Sequence, residues 1–249
     1  MKTYLSLLVT FMVLIALPYG LTGQPAASKR ILVDITHGQK FWNDPSEMKG
    51  KDPALIDRIK YMTGELKKNA ASVKAEIGYV KSAITPPALA NCDLLFIHMP
   101  STKFGSDEIL TIQEYVKNGG SLFLVVEVDY WSTLEQVNAN DIVSPFGIVY
   151  KNDNPDSQSS GGYSQPGEVT TARFSIPYHG ARIVEGGTPF CFSNKTNDNP
   201  FGIYKEVPGG GKIVAMGEGM VSLYMTSWEG VSNYQCSEFM QDVLRWLLE

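Results

Sequence analysis

A few histidines and carboxylates stand where acid–base or metal chemistry would need them. In Asp34-x-x-His37-Gly38 a carboxylate and an imidazole lie three positions apart, directly after the apolar Ile31-Leu32-Val33. His98 closes the run Leu94-Leu95-Phe96-Ile97, and Glu127 follows Leu122-Phe123-Leu124-Val125-Val126, with Asp129 two residues on. Imidazole and carboxylate together act as general acid and base near neutral pH. They are also ligands for zinc or another divalent cation. Asp34, His37 and Glu127 are therefore the candidate catalytic groups. Gln39, Trp42, His98, Asp129, Tyr130 and Trp131 are the candidate ligand-binding groups, with aromatic faces to stack on sugar rings and amides or carboxylates to take hydroxyls. Each has a structural alternative. Asp34 can cap its own turn through a side-chain oxygen, and His37 can make a loop hydrogen bond. His98 can be a satisfied core histidine, and the aromatics can anchor loops. Glu127, at the end of an apolar run, is the hardest to assign to a core. The spacing fixes no ligand set, and a divalent metal is the one cofactor that these residue types admit.

These groups need elements to position them. An apolar run that ends in polar residues and a glycine reads as a buried parallel strand entering a loop. Asp52-Pro53 then opens a helix with Leu55, Ile56, Ile59, Met62 and Leu66 at helical spacing, to about Asn69. Residues 73–80 alternate as a second strand, and 93–99 form a nearly all-apolar third. Ser106 is placed to cap a helix with Asp107 and Glu108 in its first turn, Ile109, Ile112 and Val116 on its core side, and Gly119-Gly120 at its end. Residues 121–126 give a fourth strand. This order predicts a doubly wound, mostly parallel sheet with helices on both faces. Ligands of such sheets sit outside the carboxyl ends of the strands. Asp34, His37, His98, Glu127 and Asp129 are thus expected to converge on one cleft.

The second half is read as a short helix over 135–141, a strand over 146–150 and a polar loop over 151–168. Shorter runs at 171–176, 182–184, 190–192, 202–207 and 212–216 suggest antiparallel additions and one last core strand. A final helix covers 234–248, and His179 is placed in a surface loop.

Composition narrows the function. The chain has 249 residues, 43% of them hydrophobic, and a net charge of −5. An acidic chain without a basic stripe lacks the electrostatic footprint of a nucleic-acid binder. Residues 4–18 are apolar after Lys2, and Leu21-Thr22-Gly23 is a tolerable cleavage site, so 1–23 reads as a signal peptide. The run is shorter than the roughly 20 residues of a membrane span. One domain over 24–249 is expected, secreted or periplasmic, without stable membrane insertion. Cys92, Cys191 and Cys236 allow at most one intramolecular disulfide. Gly209-Gly210-Gly211-Lys212 is not a phosphate loop, because Ile213 follows and the run precedes a strand. Asn194-Lys195-Thr196 is a glycosylation sequon.

Four stretches carry a family resemblance: ILVDITHGQ at 31–39, EYVKNGGSLFLV at 114–125, VNANDIVSPFGIVY at 137–150 and GGGKIVAMGEGM at 209–220. Together they resemble the GIFT-type branch of the class I glutamine amidotransferase-like superfamily, found in gliding-motility and intraflagellar-transport proteins, with ThuA-like proteins more distant. The resemblance implies a flavodoxin-like fold. It does not imply amidotransfer, which needs a cysteine nucleophile on a strand-to-helix turn backed by histidine. Here that position holds Glu127, and a carboxylate cannot form the thioester. The resemblance also implies binding of a polysaccharide or small ligand. Three functions follow as alternatives: a domain that binds a carbohydrate or small polar ligand, a sugar-acting hydrolase, lyase or isomerase using His37 with Glu127 or Asp34, and a protein-interaction scaffold.

Overall fold

The structure, a computed structural model, describes residues 28–39, 41–153, 161–195, 199–224, 227 and 229–249. The 1–23 stretch, residues 154–160 of the polar loop and Thr196 of the sequon lie outside them.

The first half forms strands β1 (Lys29–Asp34), β2 (Ala75–Val80), β3 (Leu94–His98) and β4 (Ser121–Val125). Helices α1 (Pro53–Ser72), α2 (Pro86–Leu89) and α3 (Ser106–Lys117) connect them. Helix α1 starts as expected: Pro53 occupies its first turn, and the Asp52 side chain accepts from the Ala54 N–H. Helix α3 starts differently. Ser106 is its first residue and Gly105 is the cap, while the Glu108 carboxylate reaches back to the Gly105 N–H at 2.9 Å. Two short helices follow, α4 (Leu134–Val137) and α5 (Ala139–Val143).

The second half adds β5 (Val149–Asp153), β6 (Gly162–Ser164), β7 (Ser175–Ile176), β8 (Arg182–Glu185), β9 (Thr188–Ser193), β10 (Pro200–Glu206) and β11 (Lys212–Met216). Helices α6 (Met220–Leu223) and α7 (Cys236–Leu248) close the described chain. Two expectations shift here. Phe146 lies in a tight turn ending at Gly147, in the left-handed region, so the strand begins only at Val149. Strand β6 forms inside what the polar composition suggested was all loop, with Gly162 seated so tightly against the Phe192 carbonyl that a side chain would not fit.

Among the described residues the main sheet has nine strands, in the order β2-β1-β3-β4-β11-β10-β9-β6-β7. Pairing is parallel from β2 to β11 and antiparallel beyond, and β5 with β8 makes a separate pair. The parallel part has flavodoxin-like order, with its switch point between β1 and β3. Alternation along each strand sorts the core into two layers. Ile31, Val33, Phe96, Phe123, Val125 and Met216 face α1 and α7, whereas Leu32, Leu95, Ile97, Leu122, Leu124 and Ala215 face α3 and α5. No disulfide joins Cys92, Cys191 and Cys236, and burial pushes the Cys92 thiol up to about 11.

Candidate functional site

The strand alternation that builds the two core layers also separates the candidate residues. Asp34 has the parity of Leu32 and turns toward α3. His98 has the parity of Phe96, and Glu127 that of Val125, so both turn toward α1 and α7. The expected single cleft is therefore replaced by two buried polar groups on opposite faces of the sheet.

The first group is a clasp at the switch point. Asp34 is fully buried. Its Oδ1 accepts from the Thr36 N–H at 3.0 Å and the Thr36 hydroxyl at 2.8 Å. Its Oδ2 accepts from His37 Nδ1 at 2.8 Å and from Gln39 Nε2 at 2.6 Å. The Gln39 amide oxygen in turn takes the His37 N–H at 3.0 Å. On its far side His37 Nε2 meets Glu108 Oε2 at 3.3 Å, and its ring stacks on Phe104 at 3.8 Å. Glu108 is pinned as well, its Oε1 accepting from the Ile84 N–H at 2.9 Å. The sequence showed Glu108 only as a first-turn acid of α3. Its reach to His37 depends on how α3 seats against β1.

Burial alone would lower the His37 pKa, but hydrogen bonds and charge from Asp34 and then Glu108 outweigh it, and the net shift is upward from 6.5. Both ring nitrogens then donate, each to a carboxylate. A base raised on folding stabilises fully below its unfolded pKa, and that stability is lost as pH rises through the folded value. His37→Gln should thus cost about 1–3 kcal/mol at pH 6, and less at pH 9. Urea denaturation at the two pH values checks this, and an equal loss at both would show that the imidazolium contributes nothing. Ser101 locks the loop from outside: its N–H donates to the His37 carbonyl at 2.8 Å, and its hydroxyl to the Gly38 carbonyl at 2.8 Å.

The second group surrounds Gly219. The Met216↔Val125 register carries Glu218 alongside Glu127. Both are buried, at 0% and 3% exposure. Glu127 Oε2 accepts from the Gly219 N–H, and Glu218 Oε1 from the Met220 N–H. His98 Nε2 lies 3.2 Å from the Gly219 carbonyl and so donates to it. Burial brings the His98 pKa down to about 4. Burial, and then the nearby Glu127 charge, hold the Glu218 carboxyl well above its usual range. His98 is the core histidine that the apolar run suggested, but with only one nitrogen used. Glu218 was passed over, although the sequence places it directly after KIVAM and Gly217, just as Glu127 follows SLFLVV.

A third feature is the loop leaving β4. Arg182 is fully buried; its Nε donates to the Glu127 carbonyl at 2.7 Å, and its Nη2 to the Ser132 carbonyl at 2.9 Å and to the Asp129 carboxylate. Between these anchors Tyr130 is 82% exposed. Tyr130 packs edge-to-face on Trp131 at 5.0 Å, and Trp131 on Phe41 at 5.4 Å. Trp42 is instead fully buried against Phe96 and His98. Among the described residues no group of three or more His, Cys, Asp or Glu is arranged to hold a metal ion.

At the opposite edge of the sheet, a cavity of about 500 Å³ is lined by Lys29, Asp93, Gly119, Gly120, Gly210, Gly211, Lys212 and Glu249. It is not an anion cradle, because the N–H groups of those four glycines all donate to chain carbonyls.

The parallel order, the switch point and the two-layer core define a flavodoxin-like α/β domain. The chain matches the family model of the IFT52 GIFT domain over residues 55–173. Over that stretch, just under half of the chain, it resembles the GIFT-type branch of the class I glutamine amidotransferase-like superfamily, as the four sequence stretches do. The matched stretch contains two of the four recognisable motifs, and the Asp34–His37 loop lies before it. The fold is similar to that of the "mmIFT52 N-terminal domain", with a TM-score of 0.61 and 18% identity over 88% of this chain and 97% of that one. It is also similar to cytoplasmic protein STM1381 from Salmonella typhimurium LT2, with a TM-score of 0.57 and 15% identity over 88% and 99%. Cytoplasmic protein STM3548 from Salmonella typhimurium gives 0.56 and 13% over 88% and 98%. No curated protein matches in sequence. No described helix is long and apolar enough to cross a membrane.

Proposed function

We propose that this is a non-catalytic binding domain, exported by its 1–23 stretch, and that it recognises a carbohydrate or other small polar ligand through the loop leaving β4. The observation that carries this reading is Tyr130, an aromatic ring 82% exposed on a loop whose backbone is held from beneath by buried Arg182. A pre-set aromatic face with a carboxylate beside it stacks on a sugar ring at little ordering cost. The ionisable groups favour binding over chemistry: Asp34, His37 and Glu108 occupy one another, and Glu127 holds the Gly219 N–H.

A glycan array followed by calorimetry tests this. The expected outcome is saturable binding that falls at least tenfold in Tyr130→Ala with unchanged folding. Unaltered affinity in that variant, or steady turnover of the bound sugar, would reject the reading. Capture of a protein by the same loop, with no glycan bound, would favour the scaffold alternative.

A further inference from the structure

Around Gly219, three buried polar atoms have no hydrogen-bond partner among the described residues: Trp42 Nε1, His98 Nδ1 and Glu218 Oε2. Their side chains are 0%, 1% and 0% exposed. They belong to one neighbourhood. The Trp42 and His98 rings meet edge-to-face at 6.1 Å, and the other nitrogen of His98 holds the carbonyl of the residue next to Glu218. All three lie in the core layer that faces α1 and α7. Buried polar atoms left unmade are costly, and native interiors satisfy them with protein, ordered water or ligand.

The chemistry of the three atoms is complementary. Trp42 Nε1 can only donate. His98 Nε2 donates to the Gly219 carbonyl, which leaves Nδ1 as an acceptor. Glu218 Oε1 accepts from the Met220 N–H, so the proton of the neutral acid sits on Oε2, a donor. Two donors and one acceptor match a hydroxyl, which accepts two hydrogen bonds and gives one. An anion would meet the acceptor nitrogen and the Glu127 carboxylate. A cation would find two of the three atoms donating.

We propose that the carboxyl ends of β3 and β11 enclose a site for one neutral hydroxyl group, held by Trp42, His98 and Glu218 beneath the Gly219 turn. It is separate from the Tyr130 loop and stands whether or not that loop binds sugar. A side chain at Gly219 would fall 2.6 Å from Met99 Sδ and 3.2 Å from His98 Nε2, so it would crowd the histidine.

The test is an atomic-resolution crystal structure of the unaltered protein, in one form grown without any polyol and one grown with glucose. The expected result is a density peak within about 2.7–3.2 Å of at least two of the three atoms. An isolated peak in both forms identifies the hydroxyl as water. Density running on into a carbon skeleton in the second form identifies it as a ligand hydroxyl. A site without density in both forms, or direct hydrogen bonds from the three atoms to other protein groups, would overturn the proposal.

Discussion

Arg182→Met should destabilise the protein by roughly 3–5 kcal/mol and free the loop that carries Tyr130. The buried guanidinium serves the carbonyls of Glu127 and Ser132, the Asp129 carboxylate and, at 3.5 Å, the Lys151 carbonyl. Methionine fills similar volume but donates nothing, so the stranded carbonyls lose partners at about 1–3 kcal/mol each. Asp129 is half exposed and can return to water, so it adds little. The fork geometry matters beyond the charge, and Arg182→Lys should recover only part of the loss. Urea denaturation gives the stability, and limited proteolysis reports cleavage near residues 128–132. A loss under 1 kcal/mol with an uncut loop would mean that Arg182 does not brace it.

Glu218→Gln should expose a pH dependence of stability that the unaltered protein hides. Glu218 is raised on folding, so the native state holds a proton that the unfolded chain releases above 4.5. From there, stability falls with rising pH at about 1.4 kcal/mol per pH unit. His98 works in the opposite sense. Its depressed pKa of about 4 means that the unfolded chain takes up a proton below 6.5 which the native state refuses, so stability rises with pH between those values. Between 4.5 and 6.5 the two slopes cancel in the unaltered protein. The glutamine variant removes the falling slope and exposes the rising one, worth about 1.4 kcal/mol per pH unit. Glu108 and Asp242, both lowered on folding, act below their usual carboxyl values and do not enter this window. Denaturation midpoints from pH 4.5 to 6.5 check the result, and an unchanged profile would mean that Glu218 is ionised in the fold.

Much of this architecture was legible in the residues. The apolar runs at 31–33, 94–97 and 121–126 are strands because only a parallel sheet covered on both faces buries such sequences. Asp52-Pro53 marked its helix start for local reasons of capping and φ. The candidate site was legible only in part. The clustering of Asp34, His37 and Gln39 follows from a five-residue loop, and the sequence contains it. The split between that loop and His98 with Glu127 follows from strand parity counted to the last residue, where strand ends are hardest to place from sequence. Glu108 and Arg182 could not be found this way, because each reaches its partner across a tertiary contact, 71 residues away for Glu108 and 55 for Arg182. Glu218 carried the same signal as Glu127, an acid closing an apolar run, and differed only in following a glycine.

Both histidines of the carboxyl edge, His37 and His98, are shut inside buried polar clusters, where neither is open to a substrate. Carbethoxylation of imidazoles with diethyl pyrocarbonate measures this directly, since the chain has only three histidines. Exposed His179 should be modified readily, while His37 and His98 react at least a hundredfold more slowly than His179 until the protein unfolds. Modification of His37 at a rate near that of His179 would contradict the closed clasp and return Asp34 and His37 to the role of an active site.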